Sequence, residues 1–356
     1  MDAPTDRHPP ARFGRFARAV TVTCAIGYPV ALAAIALAFR YIGEQWWVTL
    51  TAMYLPRAGF ALPLPFVVAA LVIWGPRKLL ALQALAILVL LFPLMGLNLG
   101  LSRLAPEPAG PAVSVFSFNV KYAKSAETIL ANEIRRAGAD IVLLQAAPES
   151  LLEALKKVAG PAVVRRDGEF ILATRFPVRA IYDPPDLQYV RGPGGAHYVE
   201  YTIDTPLGLV DVFNVHTTSP RPGFEEVRGA GLREEILSGR LIAGTAGETV
   251  GWNAYRRTRQ IAGAAARAGA SRNAVIVAGD TNLPGLSRIL GEHLGRFRDA
   301  FSGPGFGFGY TYPAKLPWMR IDRILTNERL TAVDFRIGPP TRSDHLSVVA
   351  LIKRAG

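Results

Sequence analysis

The chain has 356 residues, half of them hydrophobic, with 40 Lys and Arg against 28 Asp and Glu, a formal net charge of +12. Positive mean hydropathy argues against a purely water-soluble globule, and a single cysteine, Cys24, excludes an intramolecular disulfide. The positive balance suits anionic partners such as phosphates or acidic lipid headgroups, but no dense Lys/Arg stripe marks a dedicated nucleic-acid binder.

Residues 1–18 form a basic tail with Arg7, Arg12, Arg15 and Arg18. Three uncharged stretches follow, Ala19 to Phe39, Ala58 to Gly75 and Leu79 to Ser102. Each approaches the ~20 residues that cross a ~30 Å hydrocarbon core. They predict three membrane spans within residues 19–102, the middle one short and interrupted by Pro63 and Pro65. Trp46 and Trp47 suit an interfacial belt, and Arg77 and Lys78 mark a cytoplasmic turn. The positive-inside rule then puts the N-terminus in the cytoplasm and everything after Arg103 outside. Residues 103–111, with Pro106, Pro108, Gly110 and Pro111, read as a stiff linker.

The remaining residues, 112–356, carry 31 Lys and Arg against 24 Asp and Glu, a net +7. Strands are predicted at Val113 to Phe118, Ile141 to Leu144, Phe170 to Ala173, Tyr198 to Ile203 and Leu209 to Val215. Further strands are predicted at Ala274 to Ala278, Ile321 to Leu325 and Leu346 to Ile352. Helices are expected at Glu127 to Arg136, ended by Gly138, at Ser150 to Val158 and at Trp252 to Ala268. Strands outnumber helices, and both hairpin and crossover spacings occur. Two sheets packed face to face with helices outside fit this pattern.

Polar motifs sit at the ends of these apolar runs: Phe118-Asn119, Asn214-Val215-His216, Gly279-Asp280-Thr281-Asn282, Arg320-Ile321-Asp322 and Ser343-Asp344-His345. Three Asp, two His and three Asn on one rim would make a metal-assisted phosphate-hydrolysing centre. A phosphodiester is anionic and repels hydroxide, so its hydrolysis needs a cation and a positioned base. Hard oxygen donors favour Mg²⁺, Mn²⁺ or Ca²⁺ over zinc.

From Ala112 to Ile352 the chain resembles the endonuclease/exonuclease/phosphatase superfamily. The resemblance also rests on Ala139-Asp140-Ile141-Val142-Leu143-Leu144-Gln145, Ala173-Thr174-Arg175-Phe176-Pro177 and Gly309-Tyr310-Thr311-Tyr312-Pro313, all in the family's order. It implies a DNase-I-like four-layer α/β/β/α sandwich behind the three membrane helices, in a membrane-anchored bacterial type. It implies that Asn119, Asp280 and Asp344 position a divalent metal, Mg²⁺ first. Asp280 and Asn282 would hold the attacking water and phosphate oxygens. His345, oriented by Asp322, would transfer protons, and His216 would stabilise the developing charge. The formal base is left open between Asp280 and the His345–Asp322 pair.

One position departs. After Gln145 the family carries a metal-ligating Glu, and here stands Ala146. Glu149 could bend back to substitute, the metal could bind weakly, or the domain could be a non-catalytic binding module.

Outside the motifs, His8, His197 and His293 read as surface or satisfied histidines. Gly303, Gly305, Gly307 and Gly309 read as a mobile loop beside the site, and no P-loop pattern follows them. Arg256, Arg257, Arg259 and Arg267 read as a solvated helix face. The insertion from Thr217 to Gly251 is expected to be a substrate lid or an unstructured loop.

The expectation is a membrane-anchored extracytoplasmic phosphoesterase in a bacterial-type plasma membrane. Its partners would be the lipid bilayer and an anionic, lipid-linked phosphate or pyrophosphate, with nucleic acid less favoured. The competing readings are an extracytoplasmic nuclease and a catalytically impaired binding domain.

Overall fold

The computed structural model describes residues 11–121, 126–158, 163–221 and 245–355. Twelve strands build two six-stranded sheets. In chain order they are β1 (Ala112–Asn119), β2 (Ile141–Gln145), β3 (Val163–Asp167), β4 (Phe170–Thr174), β5 (Val178–Tyr182) and β6 (Tyr198–Thr205). Then come β7 (Gly208–His216), β8 (Ala274–Asp280), β9 (Arg298–Asp299), β10 (Asp322–Thr326), β11 (Leu330–Ile337) and β12 (Val348–Arg354). The first sheet has the order β11-β12-β1-β2-β4-β3 and the second β9-β10-β8-β7-β6-β5. Only β1/β2 and β7/β8 pair in parallel, each across a helical crossover; the other pairs are antiparallel.

Strand alternation separates the layers. Val113, Val115, Ile141, Leu143, Val210, Val212, Ile276, Ala278 and Ile324 point inward and fuse the sheets into one core. Phe116, Phe118, Val142 and Leu144 point outward, against Leu130 and Ile134 of one helix (Glu127–Ala137) and Leu151 and Leu155 of the next (Glu149–Val158). On the other side, Phe213, Val215, Val275 and Val277 meet Ile261, Ala264 and Ala268 of the helix Thr245–Ala270. This is the expected four-layer sandwich. Ile276 is fully buried between the sheets, where truncation to Ala costs about 2–5 kcal/mol.

Several elements differ from expectation. Strands β3, β5, β9 and β11 were not predicted: β9 is only two residues long, and partial exposure breaks up the apolar runs of the others, as where β3 exposes Val163 and β5 exposes three consecutive residues. The helix expected from Trp252 already begins at Thr245. Much of the 217–251 insertion, and the lid expected there, lies outside the described residues. Arg257 is wholly buried, so the arginines of that helix are not a uniformly solvated face.

The membrane region also departs from three uniform spans. Phe13–Tyr41 and Arg77–Leu94 are helices of 29 and 18 residues, long and apolar enough to cross a bilayer. The expected middle span, Ala58 to Gly75, yields only an 11-residue helix, Pro63–Ile73. At 1.5 Å per residue such a helix covers about 16 Å, half of a hydrocarbon core. A 3-10 turn, Arg57–Ala61, leads into it, and the resulting Arg57–Ile73 forms with Trp47–Met53 a pair bent by 95°, which brings the count to three only if the pair is one broken span. Pro56, which cannot supply a backbone donor, lies in this break.

The glycine-rich segment is no free loop beside the site. Phe306–Gly307 pairs antiparallel with Asn98–Leu99, just after the last apolar helix. Asn98 Nδ2 donates to the Phe301 carbonyl, and Lys353 Nζ donates to the Pro108 carbonyl at 2.9 Å. The linker is therefore stitched to the sandwich.

Candidate active site

The same alternation that builds the core also builds the site. On β1 the inward series Val113, Val115, Ser117 ends in Asn119. On β7, Val210 and Val212 lead to Asn214 and His216, and on β8, Ile276 and Ala278 lead to Asp280. Apolar residues give way to polar ones at one end of the sandwich. Register then sets the polar residues side by side: His216 faces Asp280 across β7/β8, and Asp280 faces Asp322 across β8/β10. Gly279 makes this crossing feasible. Its φ is +141°, and a Cβ there would stand 1.9 Å from the Val215 carbonyl oxygen.

Asp280 is the hub, with 1% exposure. Its Oδ2 accepts from Asn119 Nδ2 at 2.9 Å and from Asn282 Nδ2 at 3.3 Å, and its Oδ1 accepts from the Asn282 backbone N–H at 2.8 Å. Two imidazoles flank it. His345 Nε2 lies 3.7 Å and His216 Nε2 3.9 Å from Asp280 Oδ2. Each ring is fixed at Nδ1 by a different carboxylate: His345 by Asp322 at 2.9 Å, His216 by Glu169 at 2.9 Å. A carboxylate at Nδ1 sets the tautomer and leaves Nε2 to face the hub.

The charges follow from these contacts. Burial alone would favour a neutral His345 imidazole, but Asp322 and Asp280 outweigh it and raise its pKa to about 9. His216 is raised in the same way by Glu169, again against burial. Asp280 is raised, chiefly by burial, with Asp322 adding to it and His345 opposing. Glu169 is lowered: burial opposes ionisation, but the hydrogen bonds from His197 and His216 prevail.

The rim is basic. Asp344 pairs with Lys121, and with Arg221 at 3.2 Å. Arg221 also reaches the Tyr312 hydroxyl, and the Tyr312 ring lies 4.9 Å from the His345 ring. Lys121 and Arg221 are half-exposed and can meet an incoming anion. Asp344 is lowered, burial opposing and the Lys121 contact dominating in return.

All the predicted site residues, Asn119, His216, Asp280, Asn282, Asp322, Asp344 and His345, thus meet at one end of the sandwich. Asn214, which the motifs also offered, does not reach the hub. It accepts from Gln145 Nε2 at 2.7 Å and donates to the Leu144 carbonyl at 3.1 Å, bracing one sheet against the other.

Four participants were missed: Glu169, His197, Lys121 and Arg221. Glu169 lies in the tight turn between β3 and β4 and carries no motif. Extending the β2/β4 register two residues past Leu144↔Ile171 sets it opposite Ala146, and its carbonyl accepts from the Ala147 N–H at 2.9 Å. His197, read as a surface or satisfied histidine, is satisfied by Glu169, whose carboxylate lies 3.4 Å from its Nδ1. Glu149 opens the outer helix and is exposed, so it does not replace the missing acid.

The site's donors fit a hard divalent cation. Among the described residues, donor atoms of Asp280, Asp322 and His345 lie within 4.8 Å of one another. Among the described residues Asp344 Oδ1 is buried with no hydrogen-bond partner, 3.9 Å from His345 Nε2. An unsatisfied buried carboxylate oxygen beside a second carboxylate suits a cation. The buried methyl of Ala146 offers nothing to it.

The comparisons with known proteins agree with this architecture. Among solved structures, the chain resembles D. rerio TDP2 humanized by 14 mutations, at 17% identity over 68% of this chain and 99% of that one, with a TM-score of 0.50. It also matches an endonuclease/exonuclease/phosphatase from Beutenbergia cavernae DSM 12333, at 16% identity, 69% and 72% coverage and a TM-score of 0.47. One from Bacteroides vulgatus matches at 14% identity, 69% and 100% coverage and a TM-score of 0.48. At 17% identity the first likeness speaks for fold alone, and the other two, with TM-scores under 0.5, add nothing to it. No curated protein sequence matches the chain. The model of the Endonuclease/Exonuclease/phosphatase family matches residues 116–345, which include every residue of the hub and both histidine–carboxylate pairs, and the chain belongs to that family.

Proposed function

We propose that this protein is a membrane-anchored phosphoesterase that hydrolyses a lipid-linked phosphate ester or pyrophosphate on the extracytoplasmic side of a bacterial-type plasma membrane. In this reading the bent helix pair is one broken span, the N-terminus is cytoplasmic and the sandwich is outside. The observation that carries the lipid assignment is the joint between the apolar helices and the site. Tyr54, in the break of the bent pair, donates its hydroxyl to the carbonyl of Asn282 at 2.6 Å, two residues from the hub. Chemistry held this close to a bilayer meets lipid substrates at high local concentration.

Asp280 and Asp344, with Asn119 beside them, would hold a divalent ion, Mg²⁺ first. When bound, the ion offsets charge on the phosphate oxygens. Lys121 and Arg221 at the rim bind the anion. Asp280, fixed by Asn119 and Asn282, orients the attacking water and takes its proton. His345 and His216, each locked at Nδ1, donate from Nε2 to the phosphate oxygens and the leaving group.

The test is turnover of a polyprenyl pyrophosphate and of phosphatidic acid by the purified full chain, with Mg²⁺ or with EDTA, beside His216→Ala. Wild-type turnover that is lost in EDTA and in the variant is expected. Equal turnover of wild type and variant ends the proposal, and plasmid nicking without lipid turnover would identify a nuclease. Ala146 favours a second reading, a domain that binds without hydrolysing. Ala146→Glu separates the two, because a rise in hydrolysis shows that the rest of the site is competent.

A further inference from the structure

The apolar N-terminal region does more than lie near the site. Polar contacts join it to the segment that follows Asp280. Tyr54 Oη donates to the Asn282 carbonyl at 2.6 Å, and Arg57 Nη2 donates to the Gly285 carbonyl at 2.5 Å. Glu44, itself buried, accepts from the Ser287 hydroxyl and from the Arg288 N–H at 3.0 Å, where the helix Arg288–Leu294 begins. Trp318 Nε1 donates to the Tyr54 carbonyl at 3.2 Å, and Tyr310 Oη donates to the Met95 carbonyl at 2.9 Å further along the same side. The loop from Tyr310 to Trp318 carries Tyr312, the ring against His345. Both segments that flank the hub are therefore seated on residues from the apolar region.

Asn282 is the informative member. It is a non-glycine residue with φ of +48°, a left-handed conformation that persists only where its surroundings hold it. Four contacts hold it: its N–H on Asp280 Oδ1 at 2.8 Å, its Nδ2 on the Thr217 carbonyl at 2.8 Å and on Asp280 Oδ2 at 3.3 Å, and its carbonyl under the Tyr54 hydroxyl. The first of these orients the hub carboxylate. Tyr54 is fixed in turn, with the guanidinium of Arg257 5.9 Å from its ring centroid. Arg257 is fully buried and, among the described residues, its Nε and Nη2 have no hydrogen-bond partner.

We propose that Tyr54 is a positioning residue for the active site: its hydroxyl locks the strained Asn282 turn and so aims the Asp280 carboxylate, which makes the apolar region an integral part of the phosphoesterase site rather than a tether. The inference rests on the phosphoesterase reading for its kinetic arm only. The Tyr54 hydroxyl is engaged by the Asn282 carbonyl and acts through it, so its loss should lower kcat while leaving KM in place.

The experiment uses the full chain in lipid nanodiscs as wild type, Tyr54→Phe and Trp318→Phe. Tyr54→Phe removes one hydroxyl and keeps the ring. Trp318→Phe removes another bond of the same joint without touching Asn282. With bis(p-nitrophenyl) phosphate and Mn²⁺, Tyr54→Phe is expected to lower kcat at least tenfold, with KM within twofold and the thermal midpoint unchanged. Trp318→Phe is expected to keep kcat within threefold of wild type. A Tyr54→Phe kcat within twofold of wild type overturns the inference, as does an equal loss in both variants, which would mark a merely structural joint. Mn²⁺ affinity by electron paramagnetic resonance separates the two layers. If wild type turns over no phosphate ester, the phosphoesterase reading fails, and the Mn²⁺ arm decides alone. A fivefold or greater weakening confined to Tyr54→Phe then supports the inference, and unchanged affinity overturns it.

Discussion

Two histidine–carboxylate pairs face one aspartate, and they are built differently. His345 and Asp322 are both at least nine-tenths buried, and Asp322 is fixed in register with Asp280 on a neighbouring strand. His216 is partly exposed, and its partner Glu169 comes from a turn and is shared with His197. The carboxylate on a strand raises its histidine to about pH 9, whereas the carboxylate in a turn divides its charge between two rings. A rigid, dry pair should therefore contribute more to catalysis than a wetter, divided one.

Replacing the shared hub breaks the comparison outright. Asp280→Asn is expected to lower kcat by about 10³-fold or more, since it removes the group on which both pairs converge. The next largest losses belong to the buried pair: about 10³-fold for His345→Ala and about 10²-fold for Asp322→Asn, which leaves the ring without its charged partner. The partly exposed pair should cost less, about 10²-fold for His216→Ala and about tenfold for Glu169→Gln. Steady-state kinetics on one soluble phosphodiester gives all five values. Equal losses for Asp322→Asn and Glu169→Gln would show that burial does not rank the pairs.

The pH dependence of stability sharpens the same contrast with a smaller signal. His345 is raised from 6.5 to about 9, so its pair contributes fully below pH 6.5 and loses that contribution as pH rises through about 9. Glu169 is lowered from 4.5, so its contribution is present above pH 4.5 and fades as pH falls toward its depressed value. Thermal midpoints of the metal-free protein across pH should show an alkaline decline that Asp322→Asn weakens. They should also show an acid decline that Glu169→Gln weakens. The smallest expected effect is that of His197→Ala, within about threefold in kcat, because Glu169 keeps its bond to His216.

How much of the site was legible follows the same divide. The motif residues could be read because each terminates a β-rich apolar run, where period-two alternation carries an inward core position into an inward polar one. Val210, Val212, Asn214 and His216 form one such series. Glu169, His197, Lys121 and Arg221 lie in turns and loop ends, where no periodicity indicates which way a side chain points. The missed strands failed for a related reason. β5 leaves Arg179, Ala180 and Ile181 exposed in succession, so it has no alternation to detect. The middle apolar stretch was legible as a span but not as one member of a bent pair, because hydropathy counts residues and is blind to the 95° bend just before it.

The amino-acid order by itself determined the apolar runs of strands and helices, the strand-end acids and imidazoles and the uncharged N-terminal stretches, while the four-layer sandwich and the lost carboxylate at Ala146 were implied by the family resemblance. The former are local properties, set by apolar periodicity and by the identity of single residues. Only the tertiary structure decided that Glu169 pairs with His216, that Lys121 and Arg221 guard Asp344, and that Tyr54 reaches across 228 positions of sequence to hold Asn282. The reason is physical: register between strands and the packing of the apolar helices against the sandwich fix distances that no local pattern encodes.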